Sequence, residues 1–168
     1  MPNSVVGKIA AAEYGPSFES LEHVFLVGNL QRPCPHPFFR DARLEVIVCQ
    51  YDPGDHGRFH WHPEVTEYEL VLEGCVTYRE ADTGKVTVFR AGDLATVPAQ
   101  VCVERRIDQP CRTLAIKVPS NDVKVHCGEC PRVCSHRLEP FNHDVAQTLV
   151  SAASTLMSTL LAPSKEIA

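Results

Sequence analysis

His60 and His62 stand one residue apart, and Glu67 follows five positions after His62, in the segment GDHGRFHWHPEVTEYELVLEG that runs from Gly54 to Gly74. Side chains at i and i+2 of an extended strand share a face, so the two imidazoles aim at one spot while Trp61 faces away. Pro63 and the PEVT segment force a bend, after which YELVL reads as a second strand. Glu67 opens that strand and can bring a carboxylate back to the imidazoles. Two nitrogens and one oxygen around a point make a divalent-metal site, with positions left open for substrate, water or O2.

Parity nominates further groups. Arg58 shares the parity of His60 and His62 and points into the same cavity if the strand begins that early; otherwise it belongs to the preceding loop and faces solvent. A guanidinium beside a metal suits a carboxylate- or phosphate-bearing substrate, because its planar fork binds oxyanions bidentately. Glu69, two residues after Glu67, is a candidate general acid or base with a raised pKa; the alternative is a solvated charge on the outer face. Arg105 is a candidate anion contact, or else one half of a rim salt bridge. Tyr51 and Tyr78 can offer a hydrogen bond to a ligand or simply pack.

A second constellation lies near the C-terminus, where Cys127-x2-Cys130-x3-Cys134-x-His136 follows His126. A C-x-x-C turn presents two thiolates to one ion, and four soft ligands in so short a span complete a tetrahedron around zinc or iron. A redox dithiol and unligated thiols are the alternatives. The spacing at the C-x-H end is tight, which leaves Cys34, His36 or His126 as substitutes for the fourth ligand.

The spacing Gly54-x5-His60-x-His62-x4-Glu67-x6-Gly74 resembles the first motif of the cupins, with every fixed position filled. Gly92, Asp93 and Pro98 in RAGDLATVPAQVCVERR resemble the second cupin motif, which ordinarily ends on a third histidine five residues after the proline. Val103 stands there instead. Three outcomes stay open: His60, His62 and Glu67 hold the ion with water or substrate; a one-residue slip turns Cys102 or Glu104 inward; or the barrel binds ligands without metal. The resemblance implies a double-sheet jelly roll over roughly residues 40 to 120. The cysteines after the barrel are also similar in layout to those of cupins that open 3-hydroxyanthranilate, which carry a cysteine-bound metal there, although the second cysteine pair of those enzymes is absent.

These groups need elements to hold them. The stretches SLEHVFLVG, ARLEVIVCQY, RFHWH, YELVLEG, CVTYRE, VTVFR, AGDLATVP, VCVERRI and CRTLAIKV read as short strands separated by turn residues, a sandwich or barrel pattern. ADTGK is a hairpin turn around Gly84. QRPCPHPFF, dense in proline, excludes helix and central strand, so Cys34 and His36 sit in a stiffened connection. Val145, Leu149, Ala152, Leu156 and Leu160 recur at helical steps in NHDVAQTLVSAASTLMSTLL, which predicts one amphipathic helix stopped at Pro163. The expected fold is therefore all-β, a double-stranded β-helix of cupin type, with a Cys/His-rich segment and a terminal α-helix after it. The expected divisions are an N-terminal strand and loop (1–39), the barrel (40–120), the Cys/His segment (121–141) and the helix (142–162).

At 168 residues the chain has the length of one domain. A net charge of −5, with no basic run, speaks against nucleic acid and anionic membranes as partners. No segment approaches the ~18 apolar residues of a membrane span. The N-terminus lacks the basic start and apolar core of a secretory signal, so a cytoplasmic protein is expected. Eight cysteines would there be reduced thiols rather than four disulfides; Cys49, Cys75, Cys102 and Cys111 read as small strand hydrophobes. The helix stripe packs on the barrel or on a second copy, and the resemblance to cupins implies a homodimer.

Together these residues predict a metal-dependent enzyme acting on a small, anionic metabolite. One divalent ion in the barrel is expected, Fe2+ first, with Zn2+, Mn2+ or Ni2+ as alternatives, and a second Zn2+ or iron at the tail cluster. The leading reaction is an Fe(II)-type dioxygenation. Alternatives are a non-redox isomerase, lyase or biosynthetic rearrangement, and a non-catalytic small-molecule-binding barrel.

Overall fold

The computed structural model describes residues 7–126, all within one compact unit, Met1–His136. The cluster Cys127, Cys130, Cys134, His136 and the helix expected after it lie outside the described residues. A short helix, α1 (Ala11–Tyr14), runs into a 3-10 turn (Gly15–Glu19), neither of which the weak periodicity of this stretch announces. Eleven strands follow within the described residues: β1 (His23–Gly28), β2 (Phe39–Arg40), β3 (Glu45–Tyr51), β4 (His56–Trp61), β5 (Thr66–Glu73), β6 (Cys75–Glu80), β7 (Val86–Arg90), β8 (Leu94–Val97), β9 (Val103–Arg106), β10 (Cys111–Val118) and β11 (Val125–His126).

They form two sheets, one ordered β2-β1-β3-β10-β5-β8 and the other β11-β4-β9-β6-β7. The two sheets fit the sandwich or barrel expected from the strand spacing and the jelly roll that the resemblance to cupins implies. No helix among the described residues is long and apolar enough to cross a membrane. The apolar rows of both sheets meet in one cluster that includes Ile47, Val71, Val76, Val103, Ile107 and Ala115. Each fully buried Val or Ile there contributes about 1.5–3 kcal/mol of transfer free energy. Cys49 and Cys111 belong to the same cluster, and burial pushes their thiols up to about 12 and about 11, so both behave as hydrophobes.

Gly74 makes the turn from β5 to β6 at φ 76°, where a Cβ would meet the Pro110 carbonyl oxygen at 2.1 Å. Only glycine fits, which explains the residue that closes the first motif. In the proline-rich connection His36 is buried. Its Nε2 donates to the Phe25 carbonyl at 2.9 Å and its Nδ1 accepts from the Ser17 hydroxyl at 3.1 Å, with Cys34 Sγ 3.3 Å from Nε2. Both ring nitrogens are therefore taken by the fold, and the histidine pins the N-terminal turn to β1.

Candidate metal centre

β4 starts at His56, so Arg58, His60 and the following His62 share one row, despite an irregularity in the pairing with β9 between Gly57 and His60. That row faces a cavity of about 350 Å³ between the two sheets. Phe59 and Trp61 point the other way and pack with Ala81 and Cys102. β5 brings Glu67 to the same cavity, and β10 lays Lys117 directly across from it.

The two imidazoles are oriented by backbone carbonyls. His60 Nδ1 donates to the Arg58 carbonyl at 2.9 Å, and His62 Nδ1 to the Val123 carbonyl at 2.8 Å. A carbonyl only accepts, so each ring carries its proton on Nδ1 and presents a bare Nε2 lone pair. Burial lowers both pKa values: His60 falls to about 4, helped by the Lys124 charge, and His62 is depressed by burial and then by Lys117. Neutral imidazoles with a bonded Nδ1–H are what metal ligation requires.

His62 Nε2 is buried and makes no hydrogen bond among the described residues; the nearest acid is Glu67 Oε2 at 3.8 Å. A buried, unpaired nitrogen costs about 1–3 kcal/mol unless something fills its lone pair. Burial pushes the Glu67 carboxyl up, but Lys117, His62 and Lys124 together outweigh it and hold the acid below its ordinary range. The His60 and His62 rings are nearly perpendicular, 5.7 Å apart. Among the described residues no three histidine, cysteine or acidic side chains already converge on one point. The donor set nevertheless fits a divalent ion in its chemistry: two neutral imidazoles and a charged carboxylate around one orphaned nitrogen.

Val103, at the position of the usual third histidine, is buried and borders the cavity opposite His60. The slip that would turn its neighbours inward does not occur. Cys102 packs on the far side of the sheet, and Glu104 faces outward, where it accepts from Arg79 Nε at 2.7 Å. Strand alternation forbids both once Val103 faces in.

Glu69 is not the solvated charge offered as an alternative above. It is 1% exposed, accepts from Thr113 Oγ1 at 2.6 Å and from the Tyr78 hydroxyl, and does not itself border the cavity. Burial, reinforced by Glu67, raises its pKa. Tyr78, which does border it, ties Glu69 to the cavity by a hydrogen bond, and the Glu69 charge also acts on Arg105. Arg58 lies exposed at the rim, contributing its carbonyl to His60. Arg105 lines the cavity, forms no rim salt bridge among the described residues, and donates from Nη1 to the Tyr51 hydroxyl at 2.6 Å.

Three contributors escaped the reading of spacing alone. Lys117 was legible in principle, since Thr113, Ala115 and Lys117 form the inward row of CRTLAIKV. His23 joins the cavity wall through its bond to Tyr51, at 3.2 Å. The Asp122–His126 segment, carrying Lys124 and the Val123 carbonyl, had no periodic signal.

A jelly roll whose cavity holds this two-histidine, one-carboxylate set on β4 and β5 defines a cupin. Residues 42–117 match the family of EutQ-like cupin domains, and the barrel they form is a cupin domain. Among solved structures it is similar to the DMSP lyase DddQ from Ruegeria pomeroyi, at 21% identity and a TM-score of 0.51, over 62% of this chain and 50% of that one. It is also similar to an uncharacterized conserved protein with a double-stranded β-helix domain from Klebsiella pneumoniae, at 22% identity and a TM-score of 0.48, over 53% of this chain and 78% of that one. The chain thus spans half the length of the lyase, and the likeness to it is one of fold. No curated protein matches the sequence.

Proposed function

We propose that this cupin is a metal-dependent enzyme acting on a small anionic metabolite, with His60, His62 and Glu67 holding a divalent ion. The observation that carries the reading is the buried His62 Nε2, oriented by its Val123 bond and left unpaired beside Glu67. The ion, when bound, would supply Lewis-acid or redox chemistry at open coordination positions.

The chain's own residues handle charge. Arg32, Arg58, Arg105, Lys117 and Lys124 border the cavity against Glu45, Glu67 and Asp122, so the lining is cationic in a protein whose net charge is −5. That contrast draws anions inward. Arg105 is the inner anchor. Burial works against its charge, yet Tyr51, Tyr78 and Glu69 outweigh that effect and keep it firmly protonated. Its Nε is buried without a partner, and a carboxylate would satisfy its fork.

Two histidines and one carboxylate with open positions suit an Fe(II)-type dioxygenase. A specific observation favours a second, non-redox reading as isomerase or lyase on zinc, manganese or nickel. Tyr51 accepts from Arg105 and donates to His23 Nε2, whose pKa burial and Arg105 lower to about 4. That chain sets a phenol and a neutral imidazole at the cavity wall, a route for moving a proton that needs no oxidant. A further zinc or iron on Cys127, Cys130, Cys134 and His136 belongs to the same proposal.

Metal analysis of protein purified without added ions tests it. The wild type should hold an ion that His62→Ala loses and Cys127→Ser retains. O2 uptake with carboxylated catechols or thiols would support dioxygenation; turnover of a carboxylate without O2 uptake would support the second reading. A wild type whose barrel binds no ion overturns both.

A further inference from the structure

The strand order β11-β4-β9 sets three residues in one row across the sheet. Val103 on β9 is paired with His60 on β4, and His60 is paired with His126 on β11. Directly paired residues on neighbouring strands present their side chains to the same face. That face is the cavity, which all three border. The imidazole missing at Val103, on one side of His60, is thus matched by an imidazole at His126 on the other.

The geometry agrees with a shared ligand. The His126 and His60 ring centroids are 6.1 Å apart and tilted by 52°, close to the 5.7 Å that separates the His60 and His62 rings. His126 is exposed, so its ring can turn toward the cavity without repacking the core. The same segment already serves the site, since the Val123 carbonyl three residues earlier fixes the proton on His62. A strand of two residues at a sheet edge has little to hold it by pairing alone. A coordinate bond there would add what the pairing lacks.

We propose that His126 is the third imidazole ligand of the barrel ion, completing a set with His60, His62 and Glu67, so that metal binding fastens β11 onto β4. This rests on the metal reading above and adds to it the origin of the missing ligand. In the loaded protein His126 and Glu67 would share the ion with the orphaned His62 nitrogen, and β11 would be held as part of the cavity wall.

The test uses the full chain with Cys127, Cys130 and Cys134 changed to Ser, which removes the tail thiols as competing ligands. Nitrogen superhyperfine splitting in the Cu2+ spectrum should report three imidazoles, falling to two in His126→Ala. Co2+ affinity, measured against a chromophoric chelator, should drop about ten- to hundred-fold in that variant. Hydrogen exchange at residues 121–126 should slow on Co2+ addition, and only when His126 is present. His126→Ala with Val103→His should restore the third nitrogen but not the protection of β11. Three nitrogens persisting in His126→Ala, or unchanged Co2+ affinity, would overturn the proposal while leaving the two-histidine site intact. A barrel that binds neither ion would sink the metal reading and this inference together.

Discussion

Arg105 donates to the Tyr51 hydroxyl at 2.6 Å while its guanidinium lies 3.8 Å from the centroid of the same ring. One phenol thus serves as both hydrogen-bond acceptor and π-face for a half-buried cation that has no carboxylate partner among the described residues. A phenol satisfies such a charge only in part. Under the proposed function, this guanidinium fork is where an anionic ligand would bind.

Arg105→Met should therefore leave the ligand-free melting temperature unchanged or raised, because an apolar isostere removes a half-buried, undercompensated charge. The same change should weaken binding of a carboxylate ligand at least about tenfold, the loss of one charge-assisted hydrogen bond of about 1.5–3 kcal/mol. Thermal denaturation and calorimetric titration with small carboxylates read the two effects separately. A large drop in melting temperature would mean that Arg105 is structural.

Stability of the metal-free protein should fall on acidification between about pH 6.5 and pH 4. His23 and His60 are both held at about 4 by burial, below the ordinary value of 6.5. Within that window the unfolded chain binds more protons than the native one, so stability rises with pH. Glu69 works in the opposite sense, because its raised pKa makes stability fall as pH rises through that value. Urea midpoints across the window should show the histidine slope, and His23→Asn should flatten it.

Tyr78 and Thr113 are the two donors that make a carboxyl tolerable at Glu69. Tyr78→Phe leaves one oxygen of a side chain that is 1% exposed without its phenol. The expected loss is about 1–3 kcal/mol. It should be larger at pH 7 than at pH 5, because removing the donor raises the Glu69 pKa further and the penalty falls on the ionised form. Denaturant unfolding at the two pH values checks the sign.

The barrel and the shared face of the two histidines were legible because each rests on local pattern. Alternation places His60 and His62 on one face and Phe59 and Trp61 on the other, and turn residues space the strands. What escaped is long-range. Nothing near His62 announces that the Val123 carbonyl, 61 residues away, fixes its proton. His126 reads as a neighbour of the cysteine cluster in sequence, yet the two-residue β11 sets it beside His60. Glu69 and Glu67 share parity, but only the packing of Tyr78 separates a cavity acid from a buried one. Lys117 lies between these cases: its inward parity was visible, but its pairing with Glu67 requires the register of β10 against β5.

With an ion and an anionic substrate bound as proposed, that pairing would make Lys117 the residue where the two compete. Its Nζ sits 3.9 Å from Glu67 Oε2, and both side chains are mostly buried, at 13% and 17% exposure. The ammonium helps hold Glu67 ionised, as ligation requires, yet it also repels a divalent cation from the same carboxylate. Two charges at this range interact by about 4 kcal/mol at an effective dielectric of 20, so the repulsion can outweigh the help. Lys117→Met should raise affinity for a divalent ion about tenfold or more at pH 7 and shift the pH below which the ion is lost. Removing that cation from the cavity wall should at the same time weaken binding of an anionic ligand. Opposite changes in the two affinities, measured on one variant by chelator competition and by calorimetry, would place Lys117 on the substrate side of the site. A parallel loss of both would instead make it a structural counter-ion that holds Glu67 in position.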